Sequence, residues 1–104
     1  MKLNITTRHY PEMTDALRAE VEGRMAKLEH FFDRILEARV ILTGEKHRHQ
    51  AEVAVHLSRG KRLTAKEVST SMESAVDMAA KKIESQVKKF KEKRRDHKRV
   101  STRI

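Results

Sequence analysis

The sequence predicts an α+β fold with the element order β-α-β-β-β-α, a four-stranded sheet with two helices packed on one face. Three observations predict it. Two stretches space their apolar residues by threes and fours, as the buried stripe of a helix requires, and four shorter ones alternate apolar with polar, as a half-buried strand requires. Ser58-Arg59-Gly60-Lys61 joins two of the alternating stretches as a tight turn. The 104 residues allow one domain with one modest core.

Leu3-Asn4-Ile5-Thr6-Thr7 alternates with β-branched residues and reads as a short strand, which Pro11 separates from the first helix. Thr14 is placed as an N-cap, with Glu12 and Asp15 where a helix start favours acids. Leu17, Val21, Met25, Leu28 and Phe32 then form one stripe, and this helix is expected to end near Phe32–Asp33. His30, in its last turn, is placed to satisfy a C-terminal carbonyl. Ala38–Thr43 alternates, with Val40 and Leu42 on one face and Arg39 and Ile41 on the other. Ala51, Val53, Val55 and Leu57 point one way, while Glu52, Ala54 and His56 point the other. Gly60 supplies a positive φ for the turn, and Arg62–Val68 is a fourth strand whose charged residues suit an edge.

Thr70-Ser71-Met72-Glu73 matches a capping box, with Thr70 accepting from the Glu73 N–H and Glu73 bonding back. Met72, Ala75, Val76, Ala79, Ile83, Val87 and Phe90 keep helical spacing behind it. After Phe90 no apolar residue occurs until Val100, so the helix is expected to leave the core there. Residues 1–95 form the expected domain, and 96–104 a basic, flexible tail. One sheet face, carrying Thr6, Arg39, Glu52 and His56, is left wet or free for a partner.

Charge is the strongest functional signal. The formal net charge is +9 and the pI about 10.2. Residues 81–104 hold eleven bases and three acids, whereas residues 12–37 hold seven acids and four bases. Cations stacked along one helix repel one another unless an anion sits among them, so a nucleic-acid surface is expected rather than a solubilising tail. The longest uninterrupted apolar run is far too short to span a membrane, residues 1–20 lack a signal-peptide core, and there is no cysteine. The expected setting is cytoplasmic.

Catalytic patterns are missing. The three glycines are far apart, so there is no phosphate loop, and no nucleophile elbow occurs. His47 and His49 share a spacing that could hold a metal, but without cysteine or a third ligand they read as a polar hairpin. No enzyme activity, cofactor, metal or small-molecule substrate is expected. Four aromatics occur. Phe32 and Phe90 belong to core stripes, which leaves Tyr10 and Phe31, too few for readout by base stacking. Backbone phosphate binding to structured nucleic acid is what remains. The element order is related to that of the double-stranded-RNA-binding domain. That domain starts its last helix with lysines, however, and here the start is acidic.

Several segments together resemble the ribosome hibernation promoting factors and ribosome-associated inhibitors of bacteria, some of which carry the older label of sigma-54 modulation proteins. They are Leu3-Asn4-Ile5-Thr6, Thr14-x-Ala16-Leu17-Arg18, Lys27-Leu28-Glu29-x-Phe31-Phe32-Asp33-Arg34-Ile35, Glu45-Lys46 with His49-x-Ala51-Glu52-Val53, Met72-x-x-Ala75-Val76-Asp77, and Gln86-Val87-x-Lys89. The likeness runs over about residues 1–95. It implies a non-enzymatic protein that binds the small ribosomal subunit between head and body, through 16S rRNA, over the sites of mRNA and of A- and P-site tRNA. It also implies silencing of translation in starvation or stationary phase, with other ribosome-dimerisation factors as further partners.

Two departures stand out. The family usually has an acidic residue followed by Asp-Met-Tyr before the last helix, where this chain has Thr70-Ser71-Met72-Glu73; and the chain ends in a basic segment, as the short type would, with neither a dimerisation domain nor an acidic tail. The expected rRNA contacts are Lys82, Lys89, Lys91, Lys93, Arg94 and Arg95 on the last helix, with Arg18 and Lys27 on the first, whose acidic face points away. The rival readings are a protein–protein module that holds an acidic partner, as in sigma-factor modulation, and a generic binder of structured RNA.

Overall fold

The computed structural model describes the backbone of residues 1–103 and the side chains of residues 1–93. Its elements are β1 (Lys2–Arg8), α1 (Asp15–Phe31), β2 (Ile35–Gly44), β3 (His49–Leu57), β4 (Arg62–Ser69) and α2 (Met72–Arg103). The sheet order is β1-β2-β3-β4. β1 pairs parallel with β2, which needs a crossover, and α1 supplies it; the other two pairings are antiparallel. This is the β-α-β-β-β-α order that the hydrophobic periods predict.

Register explains the two faces. The row Ile5–Val40–Val53–Ala65 points inward, and the next row, Thr6–Ile41–Glu52–Lys66, points outward. The inward residues form one core with Leu17, Val21, Met25 and Leu28 of α1 and with Met72, Ala75, Val76, Ala79, Ile83 and Val87 of α2. Both helices therefore cover the same face of the sheet. At the far end of that core Phe32 and Phe90 meet edge to face, 5.9 Å between centroids, an arrangement worth ~0.5–1.5 kcal/mol beyond burial.

Local chemistry sets the boundaries. Thr14 Oγ1 accepts from Leu17 N–H at 3.0 Å and starts α1 as expected. The start of α2 differs. Ser71, not Thr70, is the cap: its Oγ accepts from Ser74 N–H at 3.2 Å. This places Met72 in the first turn, where it is buried in the core. The third position after the cap is then Ser74, so the reciprocal bond from Glu73 has no place to form. At the end of α1 the Phe31 carbonyl accepts from Lys91 Nζ at 3.3 Å, so a lysine of α2 takes the role expected of His30.

Two further differences have simple causes. β2 begins at Ile35, before the alternating run, because a bulge between Ile35 and Glu37 breaks the period of two. The turn between β3 and β4 uses two positive-φ residues, Arg59 at 69° as well as Gly60 at 78°. Gly44 answers to a close approach instead: a Cβ there would lie 2.7 Å from the His9 carbonyl oxygen. His47 sits outside the strands, and His49 packs its ring edge to face against Tyr10 at 5.7 Å. Among the described residues no three His, Asp or Glu side chains gather as a metal site. No described helix is long and apolar enough to cross a membrane. The tail expected over 96–104 keeps a helical backbone through Arg103, and its side chains lie outside the described residues.

Candidate nucleic-acid interface

α1 and α2 run side by side in the same direction, since Arg24 meets Asp77 and Phe31 meets Lys91. Successive helical residues are about 100° apart. The lysine pairs Lys81/Lys82 and Lys88/Lys89 therefore splay to two flanks of α2 on either side of its apolar stripe. One flank faces α1 and the other faces β4.

On the α1 flank, Arg24 donates to Asp77 Oδ1 and lies 3.8 Å from Glu84 Oε1, while Lys81 holds Asp77 Oδ2 at 3.0 Å. The Asp77 carboxyl is accordingly held below the usual carboxylate range, first by the Lys81 hydrogen bond and then by the charges of Lys81 and Arg24, against opposing desolvation. Beyond this cluster lies a groove of about 430 Å³ between the helices, with Lys27, Phe31, Lys81 and Lys88 in its walls. Lys91 Nζ sits 4.6 Å from the centroid of the Phe31 ring.

On the β4 flank, Lys82 Nζ is 3.5 Å from Glu67 Oε1, and Gln86 Nε2 donates to the Thr64 carbonyl at 2.8 Å. Both contacts fasten α2 along the sheet edge. Lys89 and Lys93 follow at the same spacing and are exposed.

Two acids of α2, Asp77 and Glu84, are thus engaged locally, and cations outnumber acids in the later turns of the helix. Glu73 marks the opposite end. With Glu12 it adds to partial burial in pushing the Tyr10 phenol above its ordinary pKa, burial being the larger cause. The carboxylates Asp77, Glu84 and Glu67 are engaged by Arg24, Lys81 and Lys82. Lys27, Lys88, Lys89 and Lys93 make no ion pair among the described residues.

The eight residues expected from the sequence fall into groups. Lys27 and Lys91 belong to the α1 flank, and Lys82, Lys89 and Lys93 to the β4 flank. Arg18 is exposed but nine residues from Lys27, half a turn away around α1, so it does not join them. Arg94 and Arg95 lie outside the residues whose side chains are described. Sequence reasoning missed Lys81, Lys88, Arg24 and Phe31. The usable signal was spacing: Lys81, Asp77, Glu84 and Lys88 border the apolar stripe on one side, where α1 must pack. The outer sheet face carries charge too, but its Arg39 is held by Glu37 at 2.6 Å. The Glu37 carboxyl is lowered chiefly by that hydrogen bond.

Residues 3–95 match the family model described as Sigma 54 modulation protein / S30EA ribosomal protein. A ribosome hibernation promoting factor of Azotobacter vinelandii is 40% identical over 93 residues, covering 89% of this chain and 85% of that protein. The Escherichia coli K12 protein of the same name is 37% identical over 97 residues, 93% of this chain and all of that one. A ribosomal subunit interface protein from Coxiella burnetii superposes with a TM-score of 0.78 at 25% identity, covering 88% and 98% of the two chains. For the N-terminal domain of Thermus thermophilus Protein Y the TM-score is 0.75 at 33% identity, covering 86% and 99%. With the model match, the identity and the shared fold all spanning most of its length, the chain belongs to the Sigma 54 modulation protein / S30EA ribosomal protein family.

Proposed function

We propose that this protein is a ribosome hibernation factor that lies against 16S rRNA phosphates of the small subunit, blocks the channel for mRNA and A- and P-site tRNA, and silences translation in starved cells. The observation that carries this reading is the set of lysines on both flanks of α2 that make no ion pair among the described residues. Lys88 and Lys89 diverge by about 100°, so a flat polyanion meets one flank, whereas a cleft walled by phosphate on both sides meets both. The names of the relatives support a ribosomal partner, and the Arg24–Asp77 pair ties α2 to α1 while Lys82 and Gln86 tie it to β4. Arg18, half a turn from Lys27, would need a third rRNA segment.

Charge reversal tests the reading. A variant with Lys27, Lys88, Lys89 and Lys93 all changed to Glu should keep the fold, because all four side chains are exposed and none makes an ion pair among the described residues. It should lose co-sedimentation with purified small subunits at moderate salt. The wild type, if it makes six to ten phosphate contacts, should lose roughly 10³–10⁵ in affinity between about 50 and 200 mM salt. Co-sedimentation of the folded quadruple variant at wild-type levels would refute the surface. Release of the wild type from large particles by nuclease would separate an RNA partner from a protein one.

A further inference from the structure

The groove between α1 and α2 has a composition that phosphate binding alone does not explain. Phe31 is 45% exposed at its wall, even with the Lys91 ammonium seated over the ring. An exposed aromatic ring beside an ammonium group offers a π surface to a flat partner. Lys27 and Lys88 flank the ring without ion-pair partners among the described residues, while Leu28 contributes apolar wall. Glu84 also lines the groove. A carboxylate there repels a bare phosphate and accepts from the amino group of a base.

We propose that this groove takes one unstacked nucleotide of an RNA strand, its base stacked on Phe31 and its phosphates on Lys27 and Lys88. This inference rests on the rRNA-phosphate reading and adds to it a base contact. The occupant follows from the charge pattern: cations at the rim for a backbone, an aromatic surface for a base, and an acid for an exocyclic amine. Lys91 fixes the platform by holding both the Phe31 carbonyl and the ring, so the side chain is preorganised. Single-strand binders use such rings because every base has a π face.

The two layers respond differently to salt, and the experiment uses that. Affinity for purified small subunits is measured over a salt series for the wild type, Phe31→Leu, Phe31→Tyr and the double variant Lys27→Gln/Lys88→Gln. Removing one base stack should weaken binding ~5- to 100-fold at every salt concentration, with the slope of log affinity against log salt unchanged. Phe31→Tyr should restore binding to within about twofold, since it keeps the ring. The lysine pair should instead flatten the slope by about one to two units. A second readout uses Phe31→Trp, which introduces the chain's first tryptophan; its fluorescence should be quenched when subunits bind.

Phe31→Leu binding within twofold of the wild type, or an unquenched tryptophan in a bound complex, would overturn the proposal. So would a Phe31→Leu defect that persists on RNA-free ribosomal protein, which would assign the groove to a polypeptide. An unchanged slope in the lysine pair alongside a lost Phe31 stack would count against the phosphate reading and leave the base contact standing. A wild-type chain that does not bind subunits defeats both.

Discussion

The two flanks of α2 show how one helix serves as both scaffold and surface. On the α1 flank, Arg24, Asp77, Glu84 and Lys81 form a charge cluster that spans two helices. On the β4 flank, one ion pair and one side-chain-to-backbone bond tie the helix to a sheet edge. In each case the ion pairs that fasten the helix lie in its first half, and the lysines that make no ion pair among the described residues come after them. The lesson is that cationic density by itself does not identify a binding residue. Lys81 and Lys82 are as exposed as Lys88 and Lys89, yet the first two neutralise acids of their own chain.

The largest expected effect separates the flanks from each other. Lys27→Glu/Lys88→Glu strips one flank and Lys89→Glu/Lys93→Glu strips the other. If rRNA walls both sides, each double variant should lose roughly a hundredfold in affinity for small subunits and about two units of salt slope. Binding measured side by side at several salt concentrations reads both quantities. If one pair is silent, the polyanion touches a single flank, and the cleft geometry fails even though phosphate binding survives.

Most of the fold was legible because its signals are local. The stripe Leu17-Val21-Met25-Leu28 and the alternation Ala51-Val53-Val55-Leu57 state helix and strand without any tertiary knowledge, and all eight residues are buried. What escaped was settled by contacts distant in sequence. The choice of Ser71 over Thr70 as cap depends on Met72 reaching the core, and the Phe31 carbonyl is met by a lysine 60 residues away. The site was half legible for the same reason. Eleven bases over residues 81–104 announce an anion, but which of them are spent on Asp77 or Glu67 depends on where α1 and β4 lie.

A smaller effect contrasts the fastenings themselves. Arg24→Ala removes the cation that reaches from α1 to both Asp77 and Glu84, leaving Asp77 with Lys81 alone. The expected loss is about 1 kcal/mol, or a fall in melting temperature of ~4–8 °C for a chain of this size. Lys82→Ala breaks a more exposed pair, with Gln86 still holding the edge, and should cost no more than about 0.5 kcal/mol. Thermal melts of the two variants at low and high salt check the ranking. Equal losses would mean that the interhelical cluster gives no more stability than an ordinary surface pair.

The smallest effect is a pH dependence on the α1 flank. Asp77 has its carboxyl lowered by Lys81 and Arg24. A group whose pKa falls on folding stabilises the native state above its unfolded pKa, near ~3.9 for Asp. That contribution disappears as the pH drops through the lower, folded value. The wild type should therefore exceed Asp77→Asn in melting temperature at neutral pH, and the gap should close steadily below about pH 4. A difference between wild type and Asp77→Asn that does not shrink as the pH falls below about 4 would mean that the residue acts through packing rather than through its charge.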